Sequence, residues 1–539
     1  MPHLPPIFRL LSLLTLGLLL SPNLPGKPPE PDNDGPVSYY EDVLPVFQAK
    51  CHGCHQPAKA KGDYIMTSFE SLLKGVEDSI AITPGDPKDS YLLEQITPDN
   101  HGDAEMPKKE EPLAPAEITL ITKWITEGAI DDTPENARQR YDAEHPPTYT
   151  RPPIITALDY SPDGSLLAIS GFHEVILQKI DSSGTATPFA KLIGLSERIE
   201  SIRFSPDGTR LAVTGGLPGR MGEVQIWDVA KQKLNLSVPV TFDTVYGASW
   251  SPDGTKVAFG CADNTVRAID AKTGKQLLFM GSHADWVLDS VFSTDGSHLI
   301  SSGRDQSAKL TKFDEERFVD NITSVTPGAL KGGLASLSKH PERDEILVGG
   351  ADGIPQIYRI HRITKRVIGD NSNLMRRYPA MPGRIWSTDY STDGKRIAAA
   401  SSLDGKGFVN IYKSEFDPAL PDDVKKIFGK ITPQWNADEQ KRVEAYLTDG
   451  TETLQSLEFD TPIFALCFSP DGSKLTLGKQ DGGVLTYEVA SGNLLQTFSP
   501  VEITPPTADT LAATSTTPTP DLTPAGKLYP AIGPDPLPE

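Results

Sequence analysis

Cys51-His52-Gly53-Cys54-His55 puts two thiols three residues apart and an imidazole directly after the second. At that spacing each thiol can form a thioether with one haem vinyl group, and the histidine is carried beneath the ring to bind iron. A thioredoxin-like redox pair wants a βαβ setting, and a zinc site wants a second pair of ligands. Neither accompanies this motif, so one covalent haem c held by Cys51, Cys54 and His55 is the expected cofactor. The opposite face of the iron requires its own ligand. Met106, 51 residues after His55 in Glu105-Met106-Pro107, is the expected thioether, with His101 as the alternative and an open face as the third case. Met66 lies in a segment that reads as core, and His52 sits inside the attachment loop pointing away from the iron.

Short helices must position these groups. Val43, Leu44, Val46 and Phe47 form one apolar helix face just before the motif. Pro84-Gly85-Asp86-Pro87 is a turn, and Ser90 suits the N-cap of a helix carrying Tyr91, Leu92, Leu93 and Ile96. A last helix is expected from Pro115, with Ile118, Ile121, Trp124 and Ile125 at 3.6-residue spacing and a stop at Gly128. Phe47 and Trp124 are expected to pack where the first and last helices cross, shielding the haem from water. Residues 39–130 therefore read as a small all-α c-type cytochrome domain, flanked by linkers at 26–38 and 131–152.

The formal net charge of −21 over 539 residues repels phosphate backbones, which excludes nucleic acid as a partner. Leu10 to Leu20 is an apolar run broken only by Ser12, Thr15 and Gly17. As a helix it spans about 16 Å, half a bilayer core, so residues 1–25 read as a signal peptide, and a membrane enters only if that segment is retained. Export to a bacterial periplasm or cell surface is the expectation. Cys261 and Cys467 sit in apolar strand-like contexts and read as buried thiols.

The second half repeats. Ser161-Pro162-Asp163-Gly164 recurs at Ser205, Ser251 and Ser469, with Ser-Thr-Asp-Gly at Ser293 and Ser391 and a degenerate version over 340–344. The starts lie 44, 46, 42, 47, 51 and 78 residues apart. Each turn follows alternating apolar residues and precedes a β-rich run, as Leu211-Ala212-Val213 does. Four short strands per period match a WD40-like propeller blade, so residues 153–500 are expected to form an all-β, seven-bladed ring. Trp227-Asp228 is the one intact Trp-Asp pair, and His283 is expected to bond an aspartate in a strand turn. The long last interval implies an insertion at about 414–456 with partial helical character, and 501–539 reads as a disordered Pro/Thr-rich tail.

With Val46-Phe47, Cys51–His55, Pro84–Pro87 with Ser90, Met106-Pro107 and Trp124-Ile125 in place, residues 39–130 resemble the planctomycete-type cytochrome c domain. The whole chain resembles bacterial proteins that join such a domain to a C-terminal WD40 propeller; Gly222–Asp228 is similar to their second blade. The resemblance implies haem ligands Cys51, Cys54, His55 and Met106. The expectation is a multidomain, exported single-electron carrier, its propeller a scaffold, with redox partner proteins docking at the haem edge or propeller. Alternatives are a nitrite-reductase-like haem enzyme, with histidines such as His173, His283, His298, His340 or His361 on the propeller channel, and a glycan- or peptide-binding propeller with a haem sensor. No paired carboxylates or Ser/His/Asp grouping argue for catalysis, which leaves a carrier ahead of an enzyme.

Overall fold

Ser161 Oγ donates to Asp163 Oδ1 at 2.6 Å and accepts the Leu166 N–H at 2.9 Å, while Gly164 turns the chain at φ +72°. The same Ser–Asp bond recurs at Ser205, Ser251, Ser293, Ser391 and Ser469, each followed two residues past the aspartate-bearing turn by a new strand. Only glycine takes the positive φ after the aspartate without strain. At the degenerate turn the His340 ring replaces serine: its Nδ1 accepts the N–H groups of Glu342 and Arg343, both at 3.1 Å.

The computed structural model describes residues 35–504 apart from 57–58, 77–79, 109–110, 135–140, 183, 325–329 and 368–369. The signal peptide expected at 1–25, most of the first linker and the tail beyond 504 lie outside the described residues. The turns join antiparallel meanders into five four-stranded sheets, beginning at Val245, Val287, Leu334, Arg384 and Ile463, and one seven-stranded sheet beginning at Leu158. The fold is mostly β, in sheets of the kind found in WD40 propellers, with a small helical N-terminal region. In the seven-stranded sheet one strand, Ala186–Phe204, pairs with Phe172–Ile180 along its first part and with Arg210–Leu217 along its second. Residues 501–504, expected in the tail, instead run beside Tyr149: Thr504 N–H donates to the Tyr149 carbonyl at 2.8 Å.

Aspartates of three strands reach across to neighbouring strands, two of them from one sheet to the next. Asp159 accepts the Phe204 N–H at 2.7 Å, Asp289 that of Leu337 at 2.7 Å and Asp389 that of Phe468 at 2.8 Å. Arg203, half-buried on the cavity wall, is drawn electrostatically to all three carboxylates. Burial pushes Asp159 up to about 7 and Asp289 and Asp389 up to about 6, against the pull of the guanidinium. Two insertion helices, Asp422–Phe428 and Ala437–Leu447, lie between strands Lys406–Lys413 and Thr453–Phe459. Their Val424, Phe428, Val443 and Tyr446 share a core with Tyr358 and Leu374.

In the N-terminal region, a π-turn at Tyr39–Val43 runs into the first of four helices, at Leu44–Lys50, Phe69–Lys74, Tyr91–Ile96 and Pro115–Thr126. Trp124, 1% exposed, is the centre of their core: Tyr39 stacks on it at 5.3 Å, and Phe47 and Phe69 meet it edge-on at 6.4 and 6.1 Å. Ser90 precedes Tyr91–Ile96 as expected but does not cap it. Its hydroxyl donates to the Asp86 carbonyl and accepts the Thr83 N–H, closing the proline turn instead. Among the described residues no helix is long and apolar enough to cross a membrane.

Candidate functional site

Helix Leu44–Lys50 ends where the chain bends back on itself, the Cys51 carbonyl accepting the N–H groups of Cys54 and His55 at 3.0 and 3.1 Å. That tight loop turns both cysteines and His55 toward a cavity of about 720 Å³. Met106 lines the same cavity, held by its N–H to the Gln95 carbonyl at 2.8 Å at the end of helix Tyr91–Ile96. Four residues spread over 56 positions thus share one space of the size small ligands occupy.

The donor set fits the group the motif calls for. Cys51 and Cys54 are half-buried and unbridged, so both thiols are open to thioether formation. His55 Nδ1 lies 3.2 Å from the Tyr64 carbonyl, an acceptor; the proton therefore sits on Nδ1, which leaves Nε2 with the lone pair that could bind a metal. Burial lowers the His55 pKa, outweighing its backbone contacts, which keeps the ring neutral as ligation demands. Leu92, Ile96 and Leu113 give the walls an apolar surface suited to a porphyrin face.

Other candidates fall elsewhere. His101 is exposed on a turn, its N–H bonded to Asp99 Oδ1 at 2.8 Å, and it does not line the cavity. His52 is buried with Nε2 3.1 Å from the Met66 carbonyl, a structural contact. Met66, 2% exposed, is core and also cavity wall. Sequence reasoning missed Tyr64, whose hydroxyl donates to the Leu72 carbonyl at 2.7 Å while its carbonyl orients His55. No local pattern marks it, because its role depends on the return of the chain after His55.

In the propeller, His283 Nδ1 lies 3.0 Å from Asp305 and its Nε2 2.8 Å from Ser301 Oγ, the buried structural contact expected of it. None of His173, His283, His298, His340 and His361 lines the axial cavity, whose polar wall includes Arg198, Glu200, Arg203 and Asp289. Cys261 and Cys467 are buried and unpaired, as expected.

A helical domain built around a cysteine-histidine cavity, followed by closed β-meanders, defines a two-part chain, and comparison with known proteins resolves both parts. Residues 51–110 match the planctomycete cytochrome C family, and residues 236–270 and 274–311 match the WD domain, G-beta repeat. The chain is a fusion of these two domains.

Its curated relatives include eukaryotic translation initiation factor 3 subunit I of Emericella nidulans, 27% identical over 208 residues, which is 36% of this chain and 59% of that protein. The same subunit of Aspergillus oryzae is 26% identical over 206 residues, with the same two shares. Mouse coronin-7 is 28% identical over 218 residues, 38% of this chain and 23% of coronin-7. The chain thus spans less than two thirds of the length of these relatives.

These relatives correct the expectation of an exported single-electron carrier. They are a translation initiation factor subunit and a coronin, neither named for electron carriage or export. The described residues also contain no group of three or more His, Cys, Asp and Glu side chains able to hold a metal ion. The reading of haem iron as an electron-transfer centre, the redox partner, the periplasmic or cell-surface location and the two alternatives tied to that reading are accordingly set aside. The relatives match through the WD repeats, which fold as β-meanders.

Proposed function

We propose that the chain is a protein-interaction platform whose propeller takes part in a multi-protein assembly, and whose N-terminal cavity holds one covalently attached haem. Support for the platform comes from the WD repeat match and from relatives one of which is, by name, a subunit of a larger factor. Support for the cofactor comes from a single observation: Cys51, Cys54, His55 and Met106 line one cavity. In this reading Cys51 and Cys54 would hold the group through their thiols, and His55 Nε2 and the Met106 thioether would be its iron ligands. Such a group, once bound, supplies an iron centre tuned by imidazole and thioether. The protein's own part is to keep His55 neutral by burial, to orient its ring through the Tyr64 carbonyl, and to exclude water with Leu92, Ile96 and Leu113.

The propeller is read as seven blades. The five four-stranded sheets make five, and the strand Ala186–Phe204 serves as outer strand of one further blade and inner strand of the next. With this reading go domain limits of 39–130 for the helical part and 153–500 for the propeller.

The test is production of the full chain in a host equipped for haem attachment, followed by denaturing electrophoresis with a haem stain. Pigment should stay with the polypeptide and be lost in a Cys51→Ser/Cys54→Ser variant. Colourless parent chain would remove the cofactor reading. Cross-linking in the same cells should join propeller lysines to another protein, and only self-links would remove the platform reading.

A further inference from the structure

Trp227-Asp228, the one intact pair of its kind, lies in the sheet against which the attachment loop rests, and its surroundings explain that choice. Trp227 Nε1 donates to Gln225 Oε1 at 2.8 Å, and Gln225 Nε2 donates to Glu223 Oε1 at 2.6 Å. Glu223, 1% exposed, also accepts from Ser196 Oγ at 2.7 Å and from Ser237 Oγ at 2.5 Å. Strand Lys233–Thr241 is therefore pinned from behind by a buried polar chain. On its outer side the Ser237 carbonyl faces Gly53, the middle of the cysteine motif. A Cβ at position 53 would stand 2.6 Å from that carbonyl oxygen and 3.0 Å from Pro239 Cδ, so the approach is open to glycine alone.

A second contact lies on the hairpin between strands Arg210–Leu217 and Met221–Asp228. Arg220 places its guanidinium 4.0 Å above the Tyr40 ring and pairs with Glu41 at 3.1 Å. It also donates to the Tyr40 carbonyl at 3.4 Å. The cavity described above is lined by N-terminal residues, and no propeller residue enters its wall. The propeller thus meets the back of the attachment loop and leaves the cavity clear.

We propose that strand Lys233–Thr241 and the Arg220 hairpin form a built-in dock for the N-terminal domain, which holds the Cys51–His55 loop in its bent form from behind. The partner this surface fits is a glycine-centred loop flanked by an aromatic–acidic pair, and the chain supplies it itself. The inference is independent of what the cavity contains. Residue 53 is a specificity position of the interface, and the buried Trp227–Gln225–Glu223–Ser237 chain stiffens the surface it meets.

Hydrogen–deuterium exchange on the full chain tests the dock. Arg220→Glu should speed exchange about tenfold in peptides covering 47–56 and 233–241 together, the scale of one cation–π contact with its ion pair. Peptides covering 287–303, remote from the contact, should not change. Glu41→Arg should act likewise, and Glu41→Arg with Arg220→Glu should recover most of the protection. Unchanged exchange at 47–56 in Arg220→Glu would overturn the proposal. Should 287–303 also lose protection, the fold itself has been damaged, and Arg220→Met decides the matter by the same two peptides.

Discussion

The propeller repeats one Ser–Asp turn six times, whereas the N-terminal domain uses each of its key residues once. The turns share a bond of 2.5–2.7 Å and one backbone shape, so each carries a small share of the ring's stability. In the helical domain Trp124 alone touches Tyr39, Phe47 and Phe69, and His55 alone can face the cavity with an imidazole. Redundant contacts buffer change; single contacts concentrate it.

Trp124→Ala breaks the comparison most sharply. Truncating a fully buried indole costs about 3–5 kcal/mol, enough to exhaust a domain of some ninety residues. Calorimetry should lose the N-terminal transition while the propeller transition stays within a few degrees. A parallel fall in both would mean that the two parts fold as one unit.

Arg203→Met tests the single exception to redundancy inside the ring. It removes the one guanidinium that offsets the charge of Asp159, Asp289 and Asp389, and should destabilise the ring by more than the loss of one turn does. Urea unfolding should show the loss at pH 7 and part of it regained near pH 5, where the acids take up protons. A loss independent of pH would assign Arg203 a packing role only. By contrast Asp207→Ala removes one turn of six, including the 2.5 Å bond from Ser205, and should cost about 1 kcal/mol in the same assay. A cost as large as that of Arg203→Met would show that the turns are coupled.

What the sequence reveals follows the same division. Cys51–His55, the Ser-Pro-Asp-Gly turns and the helix opening at Pro115 are local patterns, and the fold places them where their spacing says. Trp124 and Phe47 are found from helix periodicity. Arg203 hides in an alternating strand, because the carboxylates that act on it, Asp159, Asp289 and Asp389, come from strands far away in the sequence. Arg220 and Tyr40, 180 positions apart, have no periodic relation at all. Function was less legible than fold: the cysteine motif points to a group the cavity fits, but the use made of that group is not written in the motif. The step from haem to electron carriage rests on the motif, on Met106 and on the family resemblance, and the WD40 relatives overturn it.

Two opposed titrations in the ring largely cancel in the parent chain. Asp159, pushed up to about 7 by burial with Arg203, Asp389 and Cys467 around it, holds a proton in the folded chain that the unfolded chain gives up near pH 4. Its contribution is complete below about pH 4 and is lost as pH climbs toward 7. His340 runs the other way. Burial, with Arg343 and Lys339 nearby, depresses it to about 4, so the folded chain refuses a proton that the unfolded chain accepts below about pH 6.5. That contribution is complete above about pH 6.5 and fades as pH falls toward 4. Between pH 4.5 and 6.5 the two slopes oppose each other, each below about 1.4 kcal/mol per pH unit, the limit for one proton. Asp159→Asn should therefore leave a stability that rises with pH across this window, and His340→Asn one that falls. Urea midpoints at half-unit steps would measure both. If His340→Asn keeps the parent slope, the imidazole that stands in for serine at the degenerate turn is not titrating there, and this turn belongs with the other six in behaviour as well as in shape.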